Sequence, residues 1–476
     1  MSSVMMRIEA LVVVAVVLSG CTQAAPAASA PASATPATAA ATAPAASASA
    51  SSTRTTAPYT LGTVLIGARG AVGAVYQPTS PSGKQSIAFV VIHEDANTIE
   101  SDICTQLAQR GYTMLCVKSE FGQQAQVTWD ALALDVAGAV KYLRGLSAVK
   151  KVVLIGYSGG GSIMSYYQNV AQNGVAACQA PERLNPCGNA VANMPPADGV
   201  ILGDAIPGIA FSDLSALDAS VVNEQDPRAR DASLDMYAAP NGFSASGPAS
   251  YAPAFIDRYT AAQGARMDRL IAQAQDLLKQ ARDGKGPYAN DAPMPVGRLS
   301  ARIWEADLSL LSHTKGKYPL ISPEFPDGSP PQVINSLRVT SADPTGNQRW
   351  DPRKGGFSAA TFLSIAAIKA PSLRIAADSI TGVDWASTNT STVLNVAGIR
   401  SPLLIMSMTG HYWIVPSEMY LEAATKATDK TLVYIKGASH GLTPCDKCAK
   451  TPGEFGDTVK EIFNYIDKWA TQRFGS

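Results

Sequence analysis

The sequence has 476 residues, of which 46% are hydrophobic and 16% are charged, and its 38 basic side chains balance its 38 acidic ones. A chain without net charge lacks the positive field that nucleic-acid binding requires, and its apolar fraction is too high for a disordered protein. Beyond the N-terminus no run of about 18 apolar residues occurs, so we expect no internal membrane span.

The N-terminal segment has the features of an export signal. Residues 10–18 form an apolar run behind Arg7 that is too short to span a bilayer but long enough for the core of a signal peptide. Small residues and then Cys21 follow, which resembles the lipobox of bacterial lipoproteins. The resemblance implies a signal peptide at 1–20, a lipid on Cys21, and a place in the cell envelope, on the outer membrane or facing the periplasm. The alternative is an ordinary signal peptide with an incidental cysteine.

Residues 21–57 are predicted to be a tether. They consist almost wholly of Ala, Ser, Pro and Thr, so they have too little apolar surface to offset the entropy lost on folding. Such a segment holds a folded body away from a membrane. We therefore expect the body to begin near Pro58 and to fold outside the cytoplasm, where disulfides can form.

Six cysteines remain in this body: Cys104, Cys116, Cys178, Cys187, Cys445 and Cys448. The middle two bracket a loop-like stretch and predict a local disulfide. The last two form a CxxC that follows a turn, which favours a structural disulfide over a redox pair; a zinc site made by the two close pairs is the alternative. The first two lie in core-type segments, and we expect them to be small apolar fillers.

In chain order, the body first alternates strands and helices. Strands are predicted at 86–93, 112–118, 152–157 and 199–204, and helices at 98–110, 129–146 and 162–170. The strands are continuous apolar runs, as expected for strands buried on both faces, and the helices have a 3.6-residue apolar period. This alternation predicts an α/β fold with a mostly parallel sheet and helices on both faces.

The regular pattern then breaks and returns. Residues 206–396 are rich in Pro and Gly and contain one long predicted helix, at 254–281. Afterwards strands are predicted at 402–408 and 431–435, and helices at 416–427 and 455–469. The simplest account is one sheet domain, with a first part at 58–205 and a second part at 397–476, interrupted by a large inserted cap at 206–396.

A G-x-S-x-G motif lies at Gly156–Gly160, directly after one predicted strand and directly before a helix. A strand-to-helix turn this tight needs small residues around its centre and lifts the hydroxyl of Ser158 above the sheet. The backbone N–H of Gly159 is then placed to stabilise an oxyanion at a helix N-terminus. The alternative is a glycine-rich turn that only caps a helix.

A serine nucleophile needs a base, and the chain has four histidines: His93, His313, His411 and His440. Only the last combines a late chain position with a loop that follows a predicted strand of the sheet. His440 is therefore the predicted base, and a structural histidine is the alternative.

Three segments together resemble the α/β-hydrolase superfamily: GYSGG at 156–160, GASHG at 437–441, and the strand and loop at 90–93. The resemblance covers about 60–205 and 397–476. It implies an α/β-hydrolase fold in which Ser158 is the nucleophile and His440 the base.

The resemblance also implies that the loop after residues 90–93 supplies a second oxyanion N–H. This chain has Glu94 and Asp95 there instead of the frequent glycine, so the donor would be the backbone of one of these two residues. Two acidic side chains beside a forming anion are unexpected. They either point away or bind a cationic or hydroxylated part of the substrate.

The acid of the triad has three candidates. Most family members carry it after the strand at 402–408, but the loop there has no carboxylate before Glu418, which lies in a predicted helix. Asp204 ends the strand at 199–204, a position similar to that of the acid in pancreatic-type lipases, and is our first choice. Asp384, within the cap segment, is the third candidate. The acid would fix the imidazole tautomer and stabilise the imidazolium.

The sequence thus predicts a lipid-anchored serine hydrolase, most simply one that cleaves a small carboxylic ester through an acyl-enzyme. This chemistry requires no metal or organic cofactor. Trp385, Tyr412 and Trp413 are candidates for contacting an apolar acyl group, with plain packing as their alternative role. An amidase or peptidase with the same triad, and a non-catalytic binding lipoprotein on a hydrolase scaffold, are the alternative functions.

Overall fold

The computed structural model describes residues 58–475, apart from 68–69, 81, 119–126, 227, 298 and 341–355. The predicted signal peptide, Cys21 and the tether all lie outside the described residues. Among the described helices, none is both long and apolar enough to span a bilayer.

The strands of the described chain are β1 (Tyr59–Ile66), β2 (Ala71–Pro78), β3 (Ile87–Ile92), β4 (Thr113–Val117), β5 (Lys151–Tyr157), β6 (Gly199–Gly203), β7 (Pro293–Met294), β8 (His313–Tyr318), β9 (Leu320–Ile321), β10 (Gln332–Asn335), β11 (Phe357–Ser358), β12 (Arg374–Ile375), β13 (Ile380–Thr381), β14 (Leu403–Met408) and β15 (Lys430–Ile435). The helices are α1 (Asp102–Gln109), α2 (Trp129–Gly145), α3 (Gly160–Asn173), α4 (Ile209–Ala216), α5 (Pro253–Arg282), α6 (Ile303–Ala306), α7 (Ala359–Thr361), α8 (Thr392–Val396), α9 (Ile414–Ala423) and α10 (Thr458–Phe474).

Nine of these strands form one sheet in the order β1-β2-β4-β3-β5-β6-β14-β15-β9. The first strand pairs with the second, and the second with β4, in antiparallel register, whereas every later neighbour pair is parallel. This mostly parallel arrangement confirms the predicted α/β-hydrolase fold.

Both faces of the sheet are covered, as the apolar strands predict. All six residues of β3 are buried, and they alternate between two separate apolar clusters. One cluster contains the apolar faces of α2 and α3, and the other contains those of α1 and α10. A strand with helices on both sides has no solvent face, which explains why its sequence lacks the alternation of polar and apolar residues.

Parallel strands direct their carboxyl ends to the same edge of a sheet, where ligands bind in open α/β folds. The loops that follow β3, β5, β6, β14 and β15 therefore meet at one edge. They carry, in that order, Glu94, Ser158, Asp204, His411 and His440.

The segment 206–396 holds α4 to α8 and β7 to β13. It also supplies the edge strand of the main sheet, because Leu320 and Ile321 of β9 pair with Tyr434 and Ile435 of β15. This pairing extends the sheet with chain that the sequence assigns to the cap. The boundaries of the three predicted parts stay predictions.

Three disulfides join the six cysteines of the described chain. Cys178–Cys187 and the CxxC pair Cys445–Cys448 form the two that the sequence predicts. The expectation that Cys104 and Cys116 are unpaired fillers is wrong, since they form the third. Cys104 lies on α1 and Cys116 on β4, and their side chains meet in the apolar cluster between this helix and the sheet.

Candidate active site

Ser158 lies at the sharp turn between β5 and α3. Its φ of 54° is in the left-handed region, which costs a residue with a side chain about 1–3 kcal/mol. The turn tolerates only small neighbours: a Cβ on Gly156 would lie 2.7 Å from the α-carbon of Gly161, and one on Gly160 would lie 2.6 Å from the carbonyl oxygen of Ile92. The glycines therefore allow helix and strand to approach closely enough to raise the serine hydroxyl into the cleft.

The structure brings together the three residues that the sequence ranks first for a triad. The hydroxyl of Ser158 lies 2.9 Å from Nε2 of His440, and Nδ1 of the same ring lies 2.6 Å from Oδ2 of Asp204. Asp204 is fully buried at the end of β6 and also has a positive φ, 44°. In this arrangement an imidazole protonated on Nδ1 can accept the serine proton on Nε2.

A second histidine shares the same carboxylate. Nδ1 of His411 lies 2.7 Å from Oδ2 of Asp204, and the rings of His411 and His440 stack with their centroids 4.3 Å apart. Burial alone would raise the pKa of Asp204, but the charges of the two histidines and the hydrogen bonds to them outweigh it and hold that pKa below its usual value. Burial lowers the pKa of His411. The sequence does not assign this residue to the site.

The two alternative acids lie in the described chain and hydrogen-bond elsewhere. Glu418, on α9, accepts hydrogen bonds from the backbone N–H groups of Lys315 and Gly316 and from the hydroxyl of Tyr318, at 2.6–2.9 Å. Asp384 accepts one from the backbone N–H of Ala386. The structure therefore brings neither carboxylate to the imidazole.

In the loop after β3, polar groups form hydrogen bonds with one another. The backbone N–H of Asp95 donates to Nδ1 of His93 at 3.3 Å, and the Asp95 side chain is 58% exposed. Glu94 is 7% exposed. Its carboxyl group accepts a hydrogen bond from its own backbone N–H and packs so closely on Gly159 that a Cβ there would overlap it. The two backbone donors that the sequence names thus have partners within the loop.

A cleft of about 670 Å³ opens in front of Ser158 and is lined by charged side chains. Arg302 is buried there and donates to Glu305 at 3.2 Å. Burial raises the pKa of Asp213 to about 8 in spite of the nearby Arg302, and burial likewise raises the pKa of Glu94 to about 7. The sequence gives no signal that Arg302 and Asp213 belong to the site, because both lie in the segment 206–396, where the regular alternation of strands and helices breaks.

The predicted substrate-contacting aromatic residues divide between two places. Tyr412 and Trp413 line this cleft, and the hydroxyl of Tyr412 donates to Glu305 at 2.9 Å. Trp385 instead packs on Phe211, with ring centroids 5.3 Å apart.

A second cavity of about 330 Å³, lined in part by the loop after β3, also reaches Ser158 and His440. Its wall is mainly apolar and includes Ile92, Ile103 and Leu442. The nucleophile therefore lies between a charged cleft and an apolar cavity.

Two groups of side chains bring possible metal-ligand atoms within 4.8 Å of one another, namely Asp204 with His411 and His440, and His93 with Glu94 and Asp95. In the first group both imidazole Nδ1 atoms face one carboxylate oxygen, and in the second an imidazole nitrogen faces two carboxylates. Imidazole nitrogens and carboxylate oxygens of the protein already contact one another at 2.6–3.1 Å in both groups, and we assign no metal to either.

The strand order and the position of these groups at the carboxyl edge of the sheet are those of an α/β-hydrolase. No protein-family model and no curated protein matches the chain. Among solved structures it is similar to Est1E from Butyrivibrio proteoclasticus, at 10% identity and a TM-score of 0.38, with 87% of this chain and all of that one covered.

It is also similar to carboxyl esterase 2 from the mycorrhizal fungus Tuber melanosporum, at 10% identity, a TM-score of 0.39 and 90% and 89% coverage. A third similar structure is brefeldin A esterase, a bacterial homologue of human hormone-sensitive lipase, at 12% identity, a TM-score of 0.37 and 90% and 80% coverage. The order of the strands in the sheet defines the fold.

Proposed function

We propose that this protein is a serine hydrolase that cleaves carboxylic esters. The observation that carries the proposal is the continuous hydrogen-bond path from Ser158 through His440 to Asp204, with the serine held at a strained turn. A buried carboxylate on one side of an imidazole and a hydroxyl on the other is the arrangement that activates a weak nucleophile.

The reaction divides into two similar halves. Oγ of Ser158 attacks the ester carbonyl carbon while Nε2 of His440 takes the hydroxyl proton, and the carbonyl electron pair moves onto its oxygen. The tetrahedral intermediate collapses, the bond to the alcohol oxygen breaks, and the imidazolium protonates that oxygen. Water then repeats the sequence on the acyl-enzyme and releases the acid. Asp204 stabilises the imidazolium in both halves.

The surroundings of Ser158 favour an ester with two unlike ends. One end would lie among the charged side chains of the larger cleft, and the other in the apolar cavity near Ile103 and Leu442. Hydrogen-bonding groups fix orientation and apolar walls supply contact area in such sites. We therefore propose a small ester that joins an apolar group to a polar or cationic one.

The proposed location is the cell envelope, through a lipid on Cys21. The lipobox-like sequence motivates this, and three disulfides in the described chain support an oxidising compartment. Growth of the producing cells with a radiolabelled or clickable fatty acid tests it, since label should enter the protein and disappear in Cys21→Ala.

The test of the proposed activity is turnover by the full-length protein in detergent. Wild type is compared with Ser158→Ala and with Ser439→Ala, a matched control whose hydroxyl lies beside the base but contacts Thr443. We expect ester hydrolysis in wild type and control and its loss in Ser158→Ala. Turnover of the corresponding anilides, measured in parallel, tests for amide cleavage. A folded wild-type protein that turns over neither class would favour the binding-lipoprotein alternative.

A further inference from the structure

The loop after β3 places an acidic side chain against Gly159, whose N–H is the predicted first oxyanion donor. The Glu94 carboxyl group occupies the place where a Cβ on Gly159 would stand, and it lines the same cleft as Ser158. An ionised carboxylate there would repel the oxyanion, because like charges at contact distance in a partly dry site interact strongly.

The same loop lacks a free second donor in its resting geometry. The N–H of Glu94 is bonded to its own carboxyl group, and the N–H of Asp95 is directed at Nδ1 of His93. Oε2 of the Glu94 carboxyl group lies 3.1 Å from the same Nδ1 of His93. A neutral carboxyl group can donate its O–H to a substrate oxygen, whereas an ionised one can only accept.

We propose that Glu94 is a catalytic residue, whose protonated carboxyl group donates a hydrogen bond to the substrate carbonyl oxygen and so replaces the second backbone donor of the oxyanion site. The proposal rests on the serine-hydrolase function above. No proton is transferred in this role; the O–H bond only orients toward the charge that forms on oxygen. A buried carboxylic acid can stabilise an oxyanion in this way when its site keeps it neutral.

The surroundings of Glu94 are compatible with a neutral form near pH 7. Burial, together with Asp95, raises the pKa of Glu94 to about 7, against the nearby His93. From α4, Asp213 lines the same cleft; Arg302 lowers the pKa of Asp213, and Glu94 raises it. His440 lines the same cleft from its own loop.

The proposal makes distinct predictions for three variants. Glu94→Gln keeps an acceptor for the backbone N–H and a donor for the substrate but cannot ionise, so it should retain turnover at pH 6 and lose the wild-type decline of kcat/KM above about pH 7. Glu94→Ala lacks the donor, and kcat should fall about 10²–10³-fold. Glu100→Gln, an exposed carboxyl outside both cavities, should match wild type at every pH.

The experiment measures kcat and KM for p-nitrophenyl acetate between pH 5 and 9, with circular dichroism to confirm folding and fluorophosphonate labelling to count active serines. If kcat/KM of Glu94→Gln still declines above about pH 7 as it does in wild type, the proposal is overturned. So would a Glu94→Ala variant as active as wild type or more active, which would make Glu94 a resting-state block. Absence of labelling in wild type would instead refute the serine-hydrolase function itself.

Discussion

Replacing Asp204 by Asn should nearly abolish turnover, for a reason that the geometry makes specific. Oδ1 of Asp204 accepts hydrogen bonds from the backbone N–H of Met408 at 3.2 Å and from the hydroxyl of Ser407 at 3.3 Å. These two donors hold the amide oxygen of an Asn on their side. The amide NH₂ then takes the place of Oδ2 and faces the imidazole of His440.

An NH₂ donor at that position selects the wrong tautomer. Nδ1 of His440 becomes an acceptor, Nε2 carries the proton, and the ring can no longer accept a proton from Ser158. We expect kcat to fall by about 10⁴-fold, which corresponds to about 5 kcal/mol of activation free energy. Since Asn has nearly the shape of Asp, KM should change little.

The assay is p-nitrophenyl acetate turnover by full-length protein, corrected for folding by thermal unfolding. Glu418→Gln and Asp384→Asn are the matched variants, because each removes a carboxylate that the sequence offers as the acid but that hydrogen-bonds elsewhere in the structure. Both should keep kcat near wild type. If Asp204→Asn retains kcat within about tenfold, or if one of the other two alone loses it, the tautomer reasoning fails.

Three further predictions concern stability and specificity. The double change Cys104→Ala and Cys116→Ala opens a short loop between α1 and β4 and should lower the free energy of unfolding by about 3 kcal/mol in a denaturant titration; an unchanged midpoint would contradict it. The pKa of Asp204 is lower in the folded than in the unfolded protein, so its ionised form contributes stability that is present above the unfolded value of about 3.9 and is lost as pH falls toward the folded value. Asp204→Asn should therefore cost more stability at pH 7 than at pH 3, and an equal cost at both would refute this. Ala96→Trp narrows the apolar cavity and should lower kcat/KM for esters lengthened on one side of the carbonyl but not for acetate; if neither acyl nor alcohol length matters, substrate does not use that cavity.

The sequence predicts the sheet well where burial dictates residue type. The runs that become β3, β5, β6 and β14 are apolar because both of their faces are covered, so each is visible without its neighbours. The hairpin of β1 and β2 is not predicted, since β1 is largely exposed and even carries an outward Leu65. Edge strands of this kind lack the pattern that reveals buried ones.

The site is predictable where chain position carries the information. Ser158 follows from glycine spacing, and Asp204 follows from its place at a strand end. The sequence analysis does not identify His411, because its Nδ1 contacts Oδ2 of Asp204 from a different loop. Residue spacing along the chain does not give that distance. The same reason applies to the contact of Glu94 with Gly159 and to the disulfide between Cys104 and Cys116. Each joins residues on different elements, so the sequence alone does not reveal it.

The most direct measurement for the central claim is the site of covalent modification. Full-length protein is treated with a fluorophosphonate, digested, and mapped by mass spectrometry. A single adduct on Ser158, formed more slowly when His440 is changed to Gln, is the predicted result. An adduct on any other serine, or a folded protein that stays unmodified, would contradict the account.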